Sequence, residues 1–154
     1  MKKGLIISFC LVAVLFLTGC DQTTKKEKTL KCTMDATLTA GTKTKNVYTV
    51  TYAGKYVKLV KSVETVVSDS KETLDTFKEA VEEVYSPYKD IKYYDYDITI
   101  DGDTLTSTAT IDYSKIDTDA MLKVNPAMKA YIKDGKLSVK DVKTIYEQMG
   151  AECE

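Results

Sequence analysis

Apolar and polar residues alternate with a period of two from about residue 31, and a helical period replaces that alternation near residue 70. Cys32, Met34, Ala36 and Leu38 mark one side of a strand from Lys31 to Thr39. Ala40 to Lys45 reads as a turn. Tyr48, Val50 and Tyr52 then alternate with Val47, Thr49 and Thr51, and Ala53-Gly54-Lys55 reads as a tight turn. The valine-rich segment Tyr56 to Val67 completes an antiparallel meander of three strands. From 70 to 88, Leu74, Phe77, Val81, Val84, Tyr85 and Tyr88 share one helical face. Ser68, Asp69 and Ser70 are N-cap candidates, Glu72 and Asp75 suit the positive helix end, and Pro87 stops the helix.

A hairpin follows. Tyr94, Tyr96, Ile98 and Ile100 form one face of its first strand. Leu105, Ser107, Ala109, Ile111 and Tyr113 form one face of its second. A two-residue type I′ loop at Asp101-Gly102 pairs Ile98 with Leu105 and Tyr96 with Ser107. The opposite face sets Asp95, Asp97 and Thr99 against Thr104, Thr106 and Thr108, which predicts an open antiparallel sheet with one wet side. Asp117-Thr118-Asp119 opens a short helix from Ala120 to Val124, ended by Asn125-Pro126. Met128, Tyr131 and Ile132 are expected to continue it, and Asp134-Gly135 to break it. Ser138 caps a last helix carrying Val139, Val142, Ile145, Tyr146 and Met149 on one face, with Gly150 at its C′ stop. The predicted class is α+β: a three-stranded meander, a helix and a β-hairpin form an antiparallel sheet, and C-terminal helices pack on one face.

The N-terminus carries a different signal. Lys2 and Lys3 precede an apolar run from Gly4 to Leu17, and small residues then lead to a cysteine in Leu17-Thr18-Gly19-Cys20. This is a secretory signal whose cleavage site has the form of a bacterial lipobox, with Cys20 in the position that takes the lipid. The run from Gly4 to Gly19 falls short of the roughly 20 apolar residues of a spanning helix. Asp21 follows at once in place of a basic stop-transfer flank. The organisation expected is therefore a signal peptide at 1–19, a lipidated flexible tether at 20–29 and a single domain at 30–154. Two acyl chains on Cys20 anchor a protein stably where one holds it marginally. That places the domain on the extracytoplasmic face of a bacterial cell membrane, with the bilayer as its first partner.

Composition adds limits. Removing 1–19 leaves 135 of the 154 residues, enough for one domain with a core, and moves the formal charge from −1 to −3. So mild a balance argues against nucleic-acid binding. Of the four cysteines, Cys10 lies in the signal and Cys20 takes the lipid. Cys32 and Cys153 remain in an exported domain, where disulfides persist, and are expected to pair.

The chain has no histidine, which removes histidine-based triads, general bases and metal ligands. Ser68-Asp69-Ser70-Lys71 has the S-x-x-K spacing of penicillin-binding enzymes but neither companion motif, so it reads as a helix cap. Asp95, Asp97, Asp101 and Asp103 resemble a calcium loop. Counting from Asp97, however, position three is Thr99 and position twelve is Thr108, where a glutamate is needed. No metal, cofactor or catalytic residue is expected, and the protein is not expected to be an enzyme. Tyr85, Tyr88, Tyr94 and Tyr96 are expected to pack helix against sheet. Tyr93 falls on the wet face with Asp95 and Asp97, and these three are the candidate contact residues.

The stretch Ala109-Thr-Ile-Asp-Tyr-Ser-Lys-Ile-Asp-Thr-Asp-Ala120 resembles the YehR-like bacterial lipoproteins. So do the lipobox, the Tyr88-Lys-Asp-Ile91 link and Gly135-Lys-Leu-Ser138. The resemblance implies an α+β lipoprotein domain with no established activity. Two functions follow as expectations. One is a monomeric, non-catalytic module that binds an envelope protein or cell-wall component through its open sheet face. The other is a small-ligand or ion-binding lipoprotein serving a membrane transport system.

Overall fold

The computed structural model describes residues 25–38 and 41–154. The predicted signal 1–19, the anchor Cys20, tether residues 21–24 and turn residues 39–40 lie outside the described residues.

The first three strands are β1 (Glu27–Thr37), β2 (Lys43–Ala53) and β3 (Tyr56–Val67), and they form the predicted antiparallel meander. β1 begins three residues before the expected domain start, because Glu27, Lys28 and Thr29 pair with Ala53, Tyr52 and Thr51. Backbone ladder bonds need no apolar side chain, so the long β2 recruits the polar end of the tether. Lys43 to Lys45, expected in the turn, join β2 for the same reason. A register shift opposite Thr51 and Tyr52 lets Val57 and Val60 both be buried despite their odd spacing.

Helix α1 spans Lys71–Tyr85. The Ser70 hydroxyl caps it, accepting from the Thr73 N–H at 3.2 Å. Ser68 has another role: it is buried, accepts from the Thr42 hydroxyl at 3.3 Å and so ties the helix start to the β1–β2 loop. The α-helix ends at Tyr85, and a 3-10 turn at Ser86–Tyr88 carries Pro87. Val84, expected on the packed face, is 61% exposed. Tyr85, the neighbour four residues after Val81, packs there instead.

The hairpin of β4 (Tyr94–Asp101) and β5 (Thr104–Asp112) corrects the predicted register. Ile100 pairs with Leu105, Ile98 with Ser107 and Tyr96 with Ala109, around a Gly102-Asp103 loop. Gly102 alone of the two loop residues has a positive φ, +59°, the pattern of a type II′ turn. A two-residue shift leaves every side chain on its expected face, so alternation cannot detect it.

The remaining elements are α2 (Thr118–Val124), capped by the Asp117 carboxylate, a 3-10 turn at Pro126–Ala130, the two-residue strands β6 (Ile132–Lys133) and β7 (Lys136–Leu137), α3 (Val139–Gln148) and β8 (Glu152–Cys153). Asp134-Gly135 does more than break a helix. With φ of +50° and +68°, it forms the I′-type turn between β6 and β7. Ser138 caps α3, as predicted, by accepting from the Asp141 N–H at 3.0 Å. Gly150 (φ +96°) then ends α3 in a Schellman arrangement: its N–H reaches the Glu147 carbonyl and the Ala151 N–H reaches that of Tyr146. Met149, predicted on the packed face, is 51% exposed, because the chain turns away there.

The sheet order is β4-β5-β3-β2-β1-β8. Every buried residue in this sheet lies on one face, from Cys32, Val50, Val60 and Val66 to Leu105, Ala109 and Tyr94. Helix α1 covers that face over β3, β4 and β5, with Leu74 closing on Val66 and Leu105. Helix α3 covers it over β1 and β2, where Tyr146 stacks on Tyr48 with ring centroids 4.1 Å apart. Tyr88 stacks on Tyr94 at 4.7 Å and Tyr85 meets Tyr96 at 5.6 Å, the helix-to-sheet packing the tyrosines predicted. All these elements lie within 27–154, so the chain from residue 20 onward carries the whole described fold.

Cys32 and Cys153 form a disulfide, with Cα atoms 4.0 Å apart. Their neighbours Lys31 and Glu154 exchange both backbone hydrogen bonds, at 3.0 and 2.9 Å. The cysteines therefore occupy the adjacent non-hydrogen-bonded pair, where strands approach most closely. Loss of this bond, by Cys153→Ser or by reduction, is expected to lower unfolding stability by about 4 to 5 kcal/mol, given its sequence separation of 121. Hydrogen exchange should show Val142 to Met149 loosening first. A variant with unchanged urea midpoint and unchanged exchange would contradict this.

Candidate functional site

Antiparallel pairing leaves the second face of the sheet without a helix among the described residues. Its rows follow from the register. One runs Glu152, Thr33, Val47, Val63, Thr108, Asp97, and the next runs Lys31, Thr49, Lys61, Thr110, Asp95. Threonine dominates this face, with half-buried Val47 and Val63 at its centre, lysines across β1 to β3, and aspartates on the edge strand β4. Threonine and valine suit a pleated surface by β-branching, so the face holds its shape without a covering layer. Asp97 to Asp101 is strand, so the calcium-like spacing is not realised as a loop.

The three candidate contact residues are placed differently from one another. Asp95 and Asp97 are exposed on the open face of β4, as predicted. Tyr93 precedes the strand with φ +71°, a left-handed backbone that is costly for a residue with a bulky side chain. It is held there by the Asp112 N–H, which donates to its carbonyl at 3.0 Å. Tyr93 is 37% exposed, and the Lys92 and Lys115 ammonium groups lie 4.9 and 5.5 Å from its ring centroid. Lys115 also pairs with Asp112 at 2.9 Å. The Ser114 hydroxyl, and after it Lys115, hold the Asp112 carboxyl below the usual carboxylate range. Tyr93 therefore sits at the foot of the face, in a fixed aromatic-lysine group, and Asp95 and Asp97 lie in the two successive rows above it.

A second feature is on the helix side, and the sequence reading missed it. Glu64 shares its parity with Val60 and Val66, so it points into the buried face. It floors a groove of about 240 Å³ whose wall is Phe77, Ala80, Val81, Val84 and Tyr85 of α1. Burial pushes the Glu64 carboxyl above its ordinary pKa. Ser107, opposite Glu64 in register, is 1% exposed, and its hydroxyl makes no hydrogen bond of good geometry among the described residues, with the Tyr85 hydroxyl as its polar neighbour. Burial also raises Tyr48 and Tyr85, with the Glu64 charge contributing to both. Valines occupy both parities of β3, Val57 and Val63 against Val60 and Val66, so the inward direction of Glu64 follows only from the register.

With the native pKa of Glu64 raised, the folded state holds this proton to higher pH than the unfolded chain. The cost of the native carboxylate is fully present above the native pKa and vanishes below the unfolded value. Glu64→Gln is therefore expected to raise the melting temperature at neutral pH, with the gain shrinking towards about pH 4. A gain independent of pH, or a loss at neutral pH, would contradict the placement.

No family model matches the chain and no curated protein matches it. Among solved structures, it is similar to the NMR structure of the E. coli YehR protein, with a TM-score of 0.58 and 19% identity over 84% of this chain and 91% of that one. It is also similar to the NMR structure of a protein from Streptococcus pneumoniae TIGR4, with a TM-score of 0.50 and 14% identity over 100% of this chain and 97% of that one. At these identities the likeness is one of fold, and it is consistent with a YehR-like fold.

Proposed function

We propose that this chain is a YehR-like lipoprotein, anchored through Cys20 to the outer side of a bacterial membrane. Its domain is a non-catalytic module that binds an envelope protein or wall component through the open sheet face. The observation that carries the reading is the one-sidedness of the sheet: a broad, threonine-rich surface is left without a helix among the described residues, while the opposite face carries the core. The lipobox supports the anchor, and the oxidised Cys32–Cys153 pair suits an exported domain. The fixed Tyr93 group adds an amphipathic anchor at one end of the surface.

The second reading is a small-ligand or ion-binding lipoprotein serving a transport system. The groove floored by Glu64 is on its side, since an apolar pocket with one perturbed carboxyl is the form of a small-molecule site.

Two measurements test the proposal. Mass spectrometry of Cys20→Ala should show loss of the acyl mass, and fractionation should show the protein leaving the membrane or remaining unprocessed. Correct cleavage together with unchanged membrane retention would sink the anchor. For the binding face, a photo-crosslinking residue at Thr108 should give a defined adduct in intact cells, and the same probe at Lys78 on α1 should not. Adducts from Lys78 alone would move the interaction to the helix side.

A further inference from the structure

The end of the domain where the chain enters β1 carries an open cavity of about 780 Å³. Three separate segments supply its four lysines: Lys25 and Lys26 before β1, Lys58 in β3, and Lys136 after the β6–β7 turn. Glu27 is the acid among its lining residues. None of the four lysines takes part in an ion pair among the described residues. The cluster is built into the fold. The Lys25 stem lies over Gly54, where a Cβ would stand 2.7 Å from its Cδ, so the glycine makes room for it. Lys55 and Lys136 each hold an ammonium 5.2 Å from the Tyr56 ring centroid. The Val139 N–H donates to the Lys55 carbonyl at 3.0 Å, which fixes the β6–β7 hairpin against this end.

We propose that this basic cavity is a docking surface for the phosphate headgroups of an anionic phospholipid bilayer. The inference rests on the Cys20 anchor. Lys25 is five residue steps beyond Cys20, and five steps span at most about 18 Å when fully extended. An anchored chain therefore keeps its lysine-rich end close to the headgroups, where each lysine near an anionic surface is favourable by about 1 kcal/mol. Docking at this end would hold the domain in one orientation on the membrane.

Vesicle co-sedimentation tests the surface separately from the anchor. The probe is the chain from residue 20 onward carrying Cys20→Ser, which bears no acyl group, with folding of every variant checked by circular dichroism. It should partition onto phosphatidylcholine vesicles containing phosphatidylglycerol, weakly onto phosphatidylcholine alone, and lose the difference in high salt. Lys25→Gln, Lys58→Gln and Lys136→Gln should each lower the partition coefficient about five-fold. Lys43→Gln and Lys71→Gln, at the opposite end of the sheet, should leave it unchanged. Equal partition onto both vesicle types, or unaffected partition when Lys25→Gln, Lys58→Gln and Lys136→Gln are combined in one chain, would overturn the proposal. So would saturable binding of inorganic phosphate with no vesicle partition, which would make the cavity a small-anion pocket. Whether Cys20 is acylated in cells is read independently by mass, so a failed anchor and a failed surface give different results.

Discussion

One-sided burial governs this molecule. The described core is built on a single face of a six-stranded antiparallel sheet, and the helices, the tyrosine stacks and the short C-terminal hairpin all lie against that face. A sheet of this kind must present alternate residues outward, and here those residues are mainly threonine, lysine and aspartate. The outward face is thus free to differ without cost to the core. The proposed contact role of this face rests on that freedom. The one tyrosine with a left-handed backbone stands at the foot of that face.

The two ends of the sheet have different jobs. Beyond β1, the paired β8 and its disulfide tie the C-terminal helix to the first strand and cover part of what would otherwise be an open edge. At the opposite edge, β4 carries Asp95, Asp97 and Asp101, and outward charge of this kind discourages strand addition by another chain. Along the strand axis, the end where β1 begins gathers lysines and the far end does not gather them in the same way. The molecule thus has a polarity: a basic end beside the proposed anchor, and a broad lateral face directed away from the core.

Much of this was legible in the chain. The meander, the Ser138 cap, the Gly150 stop and the wet face of the hairpin all follow from period and local turn chemistry, while Ser70 was one of three candidates for its cap and Asp117 one end of the segment that opens its helix. The Cys32–Cys153 pair followed from compartment and arithmetic, and its strand-to-strand geometry did not. Features that depend on which partner a residue meets stayed hidden. The hairpin register slipped by two residues because that shift preserves every face. Val84 and Met149 fit a helical stripe, yet the stripe is narrower than the pattern suggested. The strands β6, β7 and β8 are too short to show a period at all. Glu64 stayed hidden too, because its strand carries valines at both parities and only the register assigns its face. The lysine cavity was not visible, since Lys25, Lys58 and Lys136 come together only through the fold.

The central claim is that one face of the sheet holds the fold and the other is free for contact. Adjacent residues of β5 test it most directly: Thr108 faces outward and Ala109 is 3% exposed on the buried side. Urea unfolding of Thr108→Lys and Ala109→Lys makes the comparison within one strand. The account predicts a change of no more than about 0.5 kcal/mol for Thr108→Lys, against a loss of about 3 kcal/mol or more for the uncompensated charge at Ala109→Lys. Comparable losses at both positions would contradict it, because the outward face would then be part of a packed interior.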